Sequence, residues 1–438
     1  MTAAVTEPGG AGVTEALPPR GRAQLRLLTV VLVSVTFGQR LALPLGSTSQ
    51  VPLALLAVLA TLFYGLQQRL FVLDWDRAIL GLVAGCACSV ATLVGVVSGA
   101  NISTKSYLYL ILTYLPFAAT AAGDFGAVLL RRVVERFLAV MLPLAVLTIA
   151  ELALQPVGFR NPHPLESVIP GKLLLQGYNT TYPFHYGSPW DKSNGVFFLE
   201  PSFCSQFLAL AIIAHLWLGR TQRYPPLVFG AAIVCTLAGT GFVLLFAGLL
   251  VLVATGRVRL GALLPGAMVA ILVAALTPLG GILASRAHEK HSGNSSTAER
   301  FFQPVTSLGA HWLNGGWSVL FGDGAGSSQR WLLTHYDNGA QIVPLVPLKM
   351  LFEYGLVGAL PFLLFVLWTA VVGTHAKPLT AGIVVAYLLL SGSLLQPAMV
   401  FTLWLLTGAC VRSPRPLRLL SPQRPNLARV LRLRPALR

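Results

Sequence analysis

Apolar runs long enough to form membrane-spanning helices alternate with short polar turns along most of the chain. A helix needs roughly 20 apolar residues to cross a bilayer, and this criterion predicts twelve spans. The region 226–255 is predicted as two short spans broken around Ala238–Gly241, because about 30 apolar residues exceed one ordinary span. The predicted spans are 25–43, 49–66, 78–98, 106–122, 133–155, 196–218, 226–239, 241–255, 262–283, 345–372, 379–393 and 397–411.

Composition agrees with a membrane protein. The 438 residues are 55% hydrophobic and 11% charged, whereas soluble domains carry about 25% charged residues. We therefore expect an all-α fold, a polytopic membrane helix bundle. The five cysteines lie in apolar runs without zinc-type spacing, so they are interpreted as small buried hydrophobes. No cleavable signal peptide is predicted.

The basic residues orient the predicted bundle. With the amino terminus in the cytoplasm, the inner segments hold most of the 31 Lys and Arg residues, as the positive-inside rule requires. Both termini are then cytoplasmic: a disordered tail at 1–24 and a basic tail at 412–438, on either side of a transmembrane domain at 25–411. The basic tail suits either adhesion to anionic lipid or a topology anchor, and nucleic acid is not an expected partner.

This orientation places two long loops, 156–195 and 284–344, on the extracytoplasmic side. Long loops on one face of a helix bundle are a natural place for a site. Their borders carry short motifs: residues 195–202 read GVFFLEPS, and residues 320–326 read LFGDGAG. Residues 331–339 read WLLTHYDNG, and the following helix contains EYGLVG.

Together with an upstream Arg300, these motifs over residues 195–360 resemble the O-antigen ligase and Wzy-type polysaccharide polymerase superfamily. The resemblance implies metal-independent glycosyl transfer, without a cofactor, at the outer face of a bacterial plasma membrane. The donor would be an oligosaccharide on a polyprenyl diphosphate such as undecaprenyl diphosphate. Membrane lipids and other polysaccharide assembly proteins are further candidate partners.

The leading hypothesis is a polymerase of lipid-linked repeat units. The alternatives are a ligase that transfers the glycan to a lipid or wall acceptor, and a transporter or flippase of lipid-linked sugars. Family members often carry an arginine just before the first motif, where this chain has Lys192. Ligases often carry Ser-Arg where this chain has Gly239–Gly241. Both departures favour the polymerase over the ligase. A transporter of matched halves with paired broken helices is not indicated, because no internal repeat is visible.

The resemblance nominates His335 and Glu200 as catalytic residues. His335 would be a general base or a contact to the donor phosphate, or alternatively a histidine that merely satisfies a buried turn. Glu200, predicted inside a span, is a functional candidate because an acid there is costly. Pro201 would open the helix beside it. The alternative is an acid at a helix start, favoured by the helix dipole.

Arginine suits bidentate contacts to a diphosphate. The loop arginine Arg300 is therefore the first candidate for substrate binding, although it can equally be a solvated charge paired with Glu299. The further candidates for substrate binding are Arg286, Arg330, Lys192 and Asn338. Asp323 and Asp337 have no supporting carboxylate cluster in the sequence, so a metal site is not predicted.

Overall fold

The computed structural model describes residues 16–46, 50–158, 164–178, 180–181, 183–184, 188, 190–220, 222, 224–259, 261, 303–336, 344–390 and 393–411. Its α-helices are α1 Pro19–Phe37, α2 Leu53–Gln67, α3 Trp75–Val97, α4 Thr104–Tyr114, α5 Gly126–Ala153, α6 Pro164–Val168, α7 Pro201–Trp217, α8 Tyr224–Thr236, α9 Gly239–Ala254, α10 Ala310–Asn314, α11 Ser318–Phe321, α12 Ser327–His335, α13 Val346–Val371, α14 Lys377–Val385 and α15 Pro397–Leu403. Two antiparallel ribbons pair β1 Ala42–Pro44 with β2 Gln50–Pro52, and β3 Phe71–Leu73 with β4 Ala119–Ala121.

Three of the described helices, α3, α5 and α13, are long and apolar enough to cross a membrane. Helix α3 turns large apolar side chains outward: Leu82, Leu93 and Val97 are 67%, 62% and 88% exposed. A soluble protein rarely exposes contiguous apolar surface of this kind, whereas lipid chains cover it readily. The chain is thus predominantly helical with candidate membrane-crossing helices, while the count of twelve spans and their orientation stay predictions.

The break predicted within 226–255 is confirmed. Helix α8 ends at Thr236, Leu237 takes a positive φ of 46°, and α9 begins at Gly239. A Cβ on Gly241 would lie 2.6 Å from the carbonyl oxygen of Ser205, so the glycine lets α9 pack tightly on α7. The predicted span 262–283 lies outside the described residues.

Helix α1 begins at Pro19, before the first predicted span, which starts at residue 25. The side chain of Gln24 is buried, and its Nε2 donates to the carbonyl oxygens of Leu70 at 2.6 Å and Ala122 at 2.8 Å. These bonds make the start of α1 part of the bundle. The predicted span 106–122 also ends early, since α4 stops at Tyr114 and the chain then passes into β4.

One end of the bundle is joined by a buried arginine, and we call it the Arg77 end. The Arg77 side chain is 1% exposed and forms an ion pair with Asp74 at 3.6 Å. Its Nη1 and Nη2 donate to the carbonyl oxygens of Gly408 at 2.7 Å and Val411 at 2.6 Å. Helix α5 also starts here, because a Cβ on Gly126 would meet the Cys410 carbonyl oxygen at 2.1 Å.

The opposite end, which we call the Glu200 end, is reached by the far ends of α1, α3 and α5. With 1.5 Å per residue, the 19 residues of α1 and the 23 of α3 span about 28 and 35 Å. Helix α13 runs back from this end, since Thr369 in its last turn faces Gly408. Helix α7 also begins here, and every side chain from Pro201 to His215 is buried.

Candidate functional site

A tight turn at residues 194–196 introduces α7 and encloses a carboxylate. Gly195 and Val196 have φ of 64° and 67°, so their N–H groups and that of Asn194 turn to one side. The Oε2 atom of Glu151, near the end of α5, accepts from the N–H groups of Asn194 at 3.1 Å and Gly195 at 2.8 Å. Such a concave run of N–H groups is a favourable site for an anion. The turn is thereby fixed to the last turns of α5.

Glycine is required at position 195 by space as well as by backbone conformation. A Cβ there would lie 2.8 Å from the hydroxyl oxygen of Thr148, and the left-handed φ disfavours any side chain. The next residue, Val196, is held by its N–H donating to Oδ1 of Asn194 at 2.9 Å. The glycine of the first motif is therefore explained by the compact turn at 194–196, without reference to catalysis.

Glu200 lies at the start of α7 and not inside a span, so the predicted helix start at 196 is wrong. Its backbone is extended, with φ −145° and ψ 158°, and Pro201 occupies the first helical position. A residue before proline is disfavoured in the α conformation, and proline is favoured at a helix start. Pro201 therefore starts α7 and does not open a longer helix. This location agrees with the alternative of a helix-start acid.

The half-buried Glu200 carboxylate accepts a hydrogen bond from the Ser202 hydroxyl at 3.0 Å, and it makes no hydrogen bond that caps its own helix. Its charge also reaches Tyr178 of the preceding loop. Burial raises the pKa of the Tyr178 phenol to about 12, and the negative charge of Glu200 adds to that rise. The carboxylate thus faces the 164–178 loop segment as well as its own helix.

An arginine that the sequence reasoning missed lies beside this turn. Arg40, just after α1, is 2% exposed. Its Nη1 donates to the carbonyl oxygen of Val196 at 3.1 Å, and its Nη2 pairs with Oε1 of Glu166 at 2.8 Å. The missed signal was an ionisable residue inside the predicted span 25–43, which is itself a reason to suspect a site. We call Arg40, Glu151, Lys192 and Glu200 the Glu200 group.

Lys192 is assigned to this group because it lies two residues before Asn194, whose N–H donates to Glu151, and it is only 9% exposed. The preceding residue, Asp191, is fixed to the chain after α5: its N–H donates to Oε1 of Gln155 at 2.9 Å, and Gln155 returns a bond to the Asp191 carbonyl oxygen at 2.9 Å. A buried lysine needs compensation for its lost hydration. The position at which members of the resembled superfamily often have arginine is therefore a buried lysine in this chain.

The second motif region folds as a glycine turn docked on a broken helix. The N–H groups of Asp323 and Gly324 donate to the carbonyl oxygens of Phe352 at 2.9 Å and Glu353 at 3.0 Å. Those carbonyl groups are free because α13 is interrupted at Gly355, which has φ 59° and ψ −168°. The loop predicted at 284–344 thus contains short helices, α10 to α12, over its described part.

The glycines of this region are explained by close backbone contact. A Cβ on Gly355 would lie 2.2 Å from the carbonyl oxygen of Leu320, and a Cβ on Gly322 would lie 2.5 Å from the carbonyl carbon of Glu353. No real Cβ approaches backbone so closely. The LFGDGAG and EYGLVG motifs are therefore the two halves of one contact.

Glu353 lies under this contact and is 1% exposed. Its Oε1 accepts a hydrogen bond from the Ser328 hydroxyl and lies 3.8 Å from Nζ of Lys349. Ser328 belongs to α12, whereas Lys349 belongs to α13 itself. This carboxylate therefore ties α12 to α13.

His335 is the exposed last residue of α12, so the alternative of a histidine satisfying a buried turn is wrong. Its ring stacks on Trp331 with centroids 4.2 Å apart and planes 14° apart. Its Nδ1 lies 2.8 Å from the Trp331 carbonyl oxygen; because a carbonyl only accepts, Nδ1 carries the proton. In this tautomer Nε2 is the acceptor nitrogen of the ring.

Arg330 is directed to the backbone. Its Nη2 donates to the carbonyl oxygen of Asn101, which ties α12 to the turn between α3 and α4. The same turn receives the glycine segment, since the Ser103 N–H donates to the Ala325 carbonyl oxygen at 2.9 Å. In this structure Arg330 positions α12.

A second histidine, which matches no sequence motif, meets a carboxylate in this region. Nε2 of His311 lies 3.0 Å from Oδ2 of Asp323, and the His311 ring lies 5.4 Å from the rings of both Trp331 and Phe352. The contact could not be read from the sequence because it depends on how the glycine turn docks. We call His311, Asp323, Trp331 and His335 the His335 group.

The predicted residues thus fall into two groups at the Glu200 end of the bundle. Glu200 and Lys192 lie on the segment that introduces α7, and Arg330 and His335 lie on α12. The candidates Arg300, Arg286 and Asn338 lie outside the described residues, as does Asp337. In the part of the chain that the structure describes, no three His, Cys, Asp or Glu side chains come together to hold a metal ion.

Comparison with known proteins leaves the family open. No family model matches the chain. No curated protein matches it either, and the same is true of the solved structures. The resemblance in the motifs therefore supports a proposal about function.

Proposed function

We propose that this chain polymerises lipid-linked oligosaccharide repeat units by glycosyl transfer at the outer face of a bacterial plasma membrane. One observation carries the proposal. The two segments that carry the resemblance, 195–202 and 320–358, each form a backbone turn that only glycine permits. Both turns lie at the Glu200 end of a bundle that contains candidate membrane-spanning helices. Buried ionisable side chains lie at that end, among them Arg40, Lys192 and Glu353. The site is best described as a membrane-surface site covered by loops.

The chemistry of the transfer matches this location. A polyprenyl diphosphate cannot move far from the bilayer. The protein must therefore bind its diphosphate near the membrane surface, where the spanning helices end. Cations are needed there to hold the diphosphate and to stabilise the charge that grows as it leaves. Arg40 and Lys192 are buried cations at this end, and the Nε2 atom of His335 is an acceptor on an exposed ring. In this proposal Glu200 and His335 act on the substrate hydroxyl or the donor, and Arg300, Arg286 and Asn338 remain candidate contacts.

The distribution of charge favours surface chemistry over transport. A carrier that moves a charged substrate is expected to place ionisable groups along its central spans. In the described helices that are candidates to cross the membrane, Glu151 lies in the last turn of α5 and Glu353 in the first turns of α13. Both carboxylates are therefore near the Glu200 end.

The proposal is tested with the purified chain in lipid nanodiscs, given an oligosaccharide on polyprenyl diphosphate, with products separated on a gel. A ladder of products is expected. We expect Glu200→Gln and His335→Ala to lower its rate by about 10²-fold or more, as when a group that acts on the reacting substrate is removed. The matched controls are Glu135→Gln, on the first half of α5, and His375→Ala, an exposed histidine after α13. Both controls should leave the rate unchanged.

Other products identify the alternatives. A single addition to a foreign acceptor, without a ladder, indicates a ligase. Absence of any product, together with movement of the lipid-linked sugar across vesicle membranes, would refute the proposal in favour of a flippase. A loss of rate in the two controls equal to that in Glu200→Gln and His335→Ala would contradict the location of the site.

A further inference from the structure

The contact between His311 and Asp323 has the geometry of a working proton-transfer pair. The two side chains meet with Nε2 and Oδ2 3.0 Å apart, and both remain open to solvent, at 41% and 29% exposure. An exposed ion pair of this kind contributes little to stability. Both members nevertheless make further contacts, through the backbone N–H of Asp323 and the ring of His311.

Asp323 is held by the backbone contact of the glycine turn. Its own N–H donates to the Phe352 carbonyl oxygen at 2.9 Å. The flanking residues Gly322 and Gly324 both have positive φ, 71° and 88°. A Cβ on Gly324 would lie 2.9 Å from Cγ1 of Ile102. The carboxylate is thus presented from a turn that is packed on both sides.

His311 is held by aromatic rings. Its ring centroid is 5.4 Å from that of Trp331, tilted by 46°, and 5.4 Å from that of Phe352, tilted by 34°. Phe352 is 1% exposed and belongs to the rigid start of α13. The two rings therefore support the imidazole in the orientation that faces Asp323, and defined geometry is what a reacting group requires.

The carboxylate also decides which ring nitrogen is reactive. An ionised carboxylate only accepts, so Nε2 of His311 carries the proton toward Asp323. In the neutral ring Nδ1 is then an acceptor. No side chain or backbone group of the described residues forms a hydrogen bond to that atom. A histidine oriented by a carboxylate in this way can take a proton and then be stabilised as imidazolium.

We propose that His311 is the general base for the acceptor hydroxyl, with Asp323 as its positioning residue, an inference that rests on the glycosyl-transfer function proposed above. The acceptor oxygen bonds to the anomeric carbon of the donor sugar while its proton moves to Nδ1 of His311. The bond from that carbon to the diphosphate oxygen breaks, and polyprenyl diphosphate leaves with the electron pair. His311 then returns the proton to water, and Asp323 keeps the imidazole in position throughout.

This assignment gives the two histidines of the His335 group different roles in the reaction. Trp331 lies between them, in contact with both rings. His335 has its protonated Nδ1 turned to its own helix, whereas His311 has its protonated Nε2 turned to a carboxylate. Of the two rings, only that of His311 is oriented by a carboxylate, which leaves its Nδ1 available to accept a proton. His335 remains the contact to the donor that the resemblance nominates.

The test measures kcat and KM of ladder formation by the full-length chain in nanodiscs. In His311→Gln the amide nitrogen can still donate to Asp323, but no base is present. We expect kcat to fall by about 10²- to 10⁴-fold with little change in KM. Asp323→Asn should also lower kcat more than KM, because an amide can donate to Nε2 and so reverse the ring tautomer. His375→Gln is the matched control and should match the wild type.

Chemical rescue separates a catalytic from a structural role. Added imidazole should restore part of the rate to His311→Gly and none to His335→Ala. A wild-type rate in His311→Gln would overturn the inference about His311 and would leave the proposed polymerase function unaffected. A lost rate in His311→Gly that imidazole does not restore, with a lowered unfolding temperature, would also overturn it. No ladder from the wild type would overturn the proposed function and this inference together.

Discussion

Replacing Gly355 by alanine should undock the glycine turn from α13. The residue has φ 59° and ψ −168°, a region that is essentially confined to glycine. A Cβ there would lie 2.2 Å from the Leu320 carbonyl oxygen and 2.4 Å from the Phe321 nitrogen. These are backbone atoms and cannot rotate away, so either α13 must straighten or the turn must leave it.

The magnitude follows from two costs. A side chain in this backbone region costs about 1–3 kcal/mol, and forcing a methyl group into a packed contact costs typically about 1–3 kcal/mol more. The docked state should therefore lose about 2–6 kcal/mol. Since about 1.4 kcal/mol corresponds to tenfold in an equilibrium constant, the smaller figure is an increase of about 30-fold in the undocked population.

Amide hydrogen exchange in detergent measures this directly. The N–H groups of Asp323 and Gly324 bond to carbonyl groups of α13, so their exchange should quicken by about 30-fold or more in Gly355→Ala. The control is Gly309→Ala, where φ is −64° and the nearest atom to a new Cβ is 4.0 Å away. If the Asp323 and Gly324 amides exchange at the same rate in both variants, the reasoning about the contact is refuted.

Two further predictions concern the bundle. Arg40→Met should lower stability by about 1–3 kcal/mol in thermal unfolding, because it leaves the Val196 carbonyl without its donor. Glu166→Gln should cost less than about 1 kcal/mol, since Glu166 is 46% exposed, and equal effects would contradict this account. Cys86 is exposed in the middle of α3. We expect it not to react with a charged maleimide in open membrane fragments, because lipid covers it. A cysteine introduced at the end of α3 by Ser98→Cys should react. Equal labelling of the two positions would argue that α3 does not cross the membrane.

The sequence by itself determined the local features of this chain. Apolar runs located α3, α5 and α13, because the length and composition of a helix that can cross a bilayer are properties of a continuous segment. The break between α8 and α9 was also predictable, since an apolar run of 226–255 exceeds one ordinary span. Boundaries were less well predicted: the start of α7 was placed at 196 by hydropathy, while Pro201 sets it by its backbone chemistry.

The candidate site was predictable only in part. Glu200, Lys192 and His335 were singled out from motifs, and the structure locates all three at one end of the bundle. Arg40 was missed because its contacts, Glu166 and Val196, are more than a hundred residues away in sequence. No local pattern reports such a pairing.

Only the tertiary structure decided what the glycine motifs do and which histidine has a carboxylate. In the sequence, Gly322 and Gly355 are two unrelated glycines, 33 residues apart. His311 is one of several histidines in a predicted loop. In the fold the two glycines are halves of one backbone contact, and that contact brings Asp323 to His311. Hydropathy along the chain predicts where helices form, because a helix is built from residues that are neighbours in sequence. Which charged groups meet depends on helix ends brought together by packing, and the sequence pattern does not contain that information.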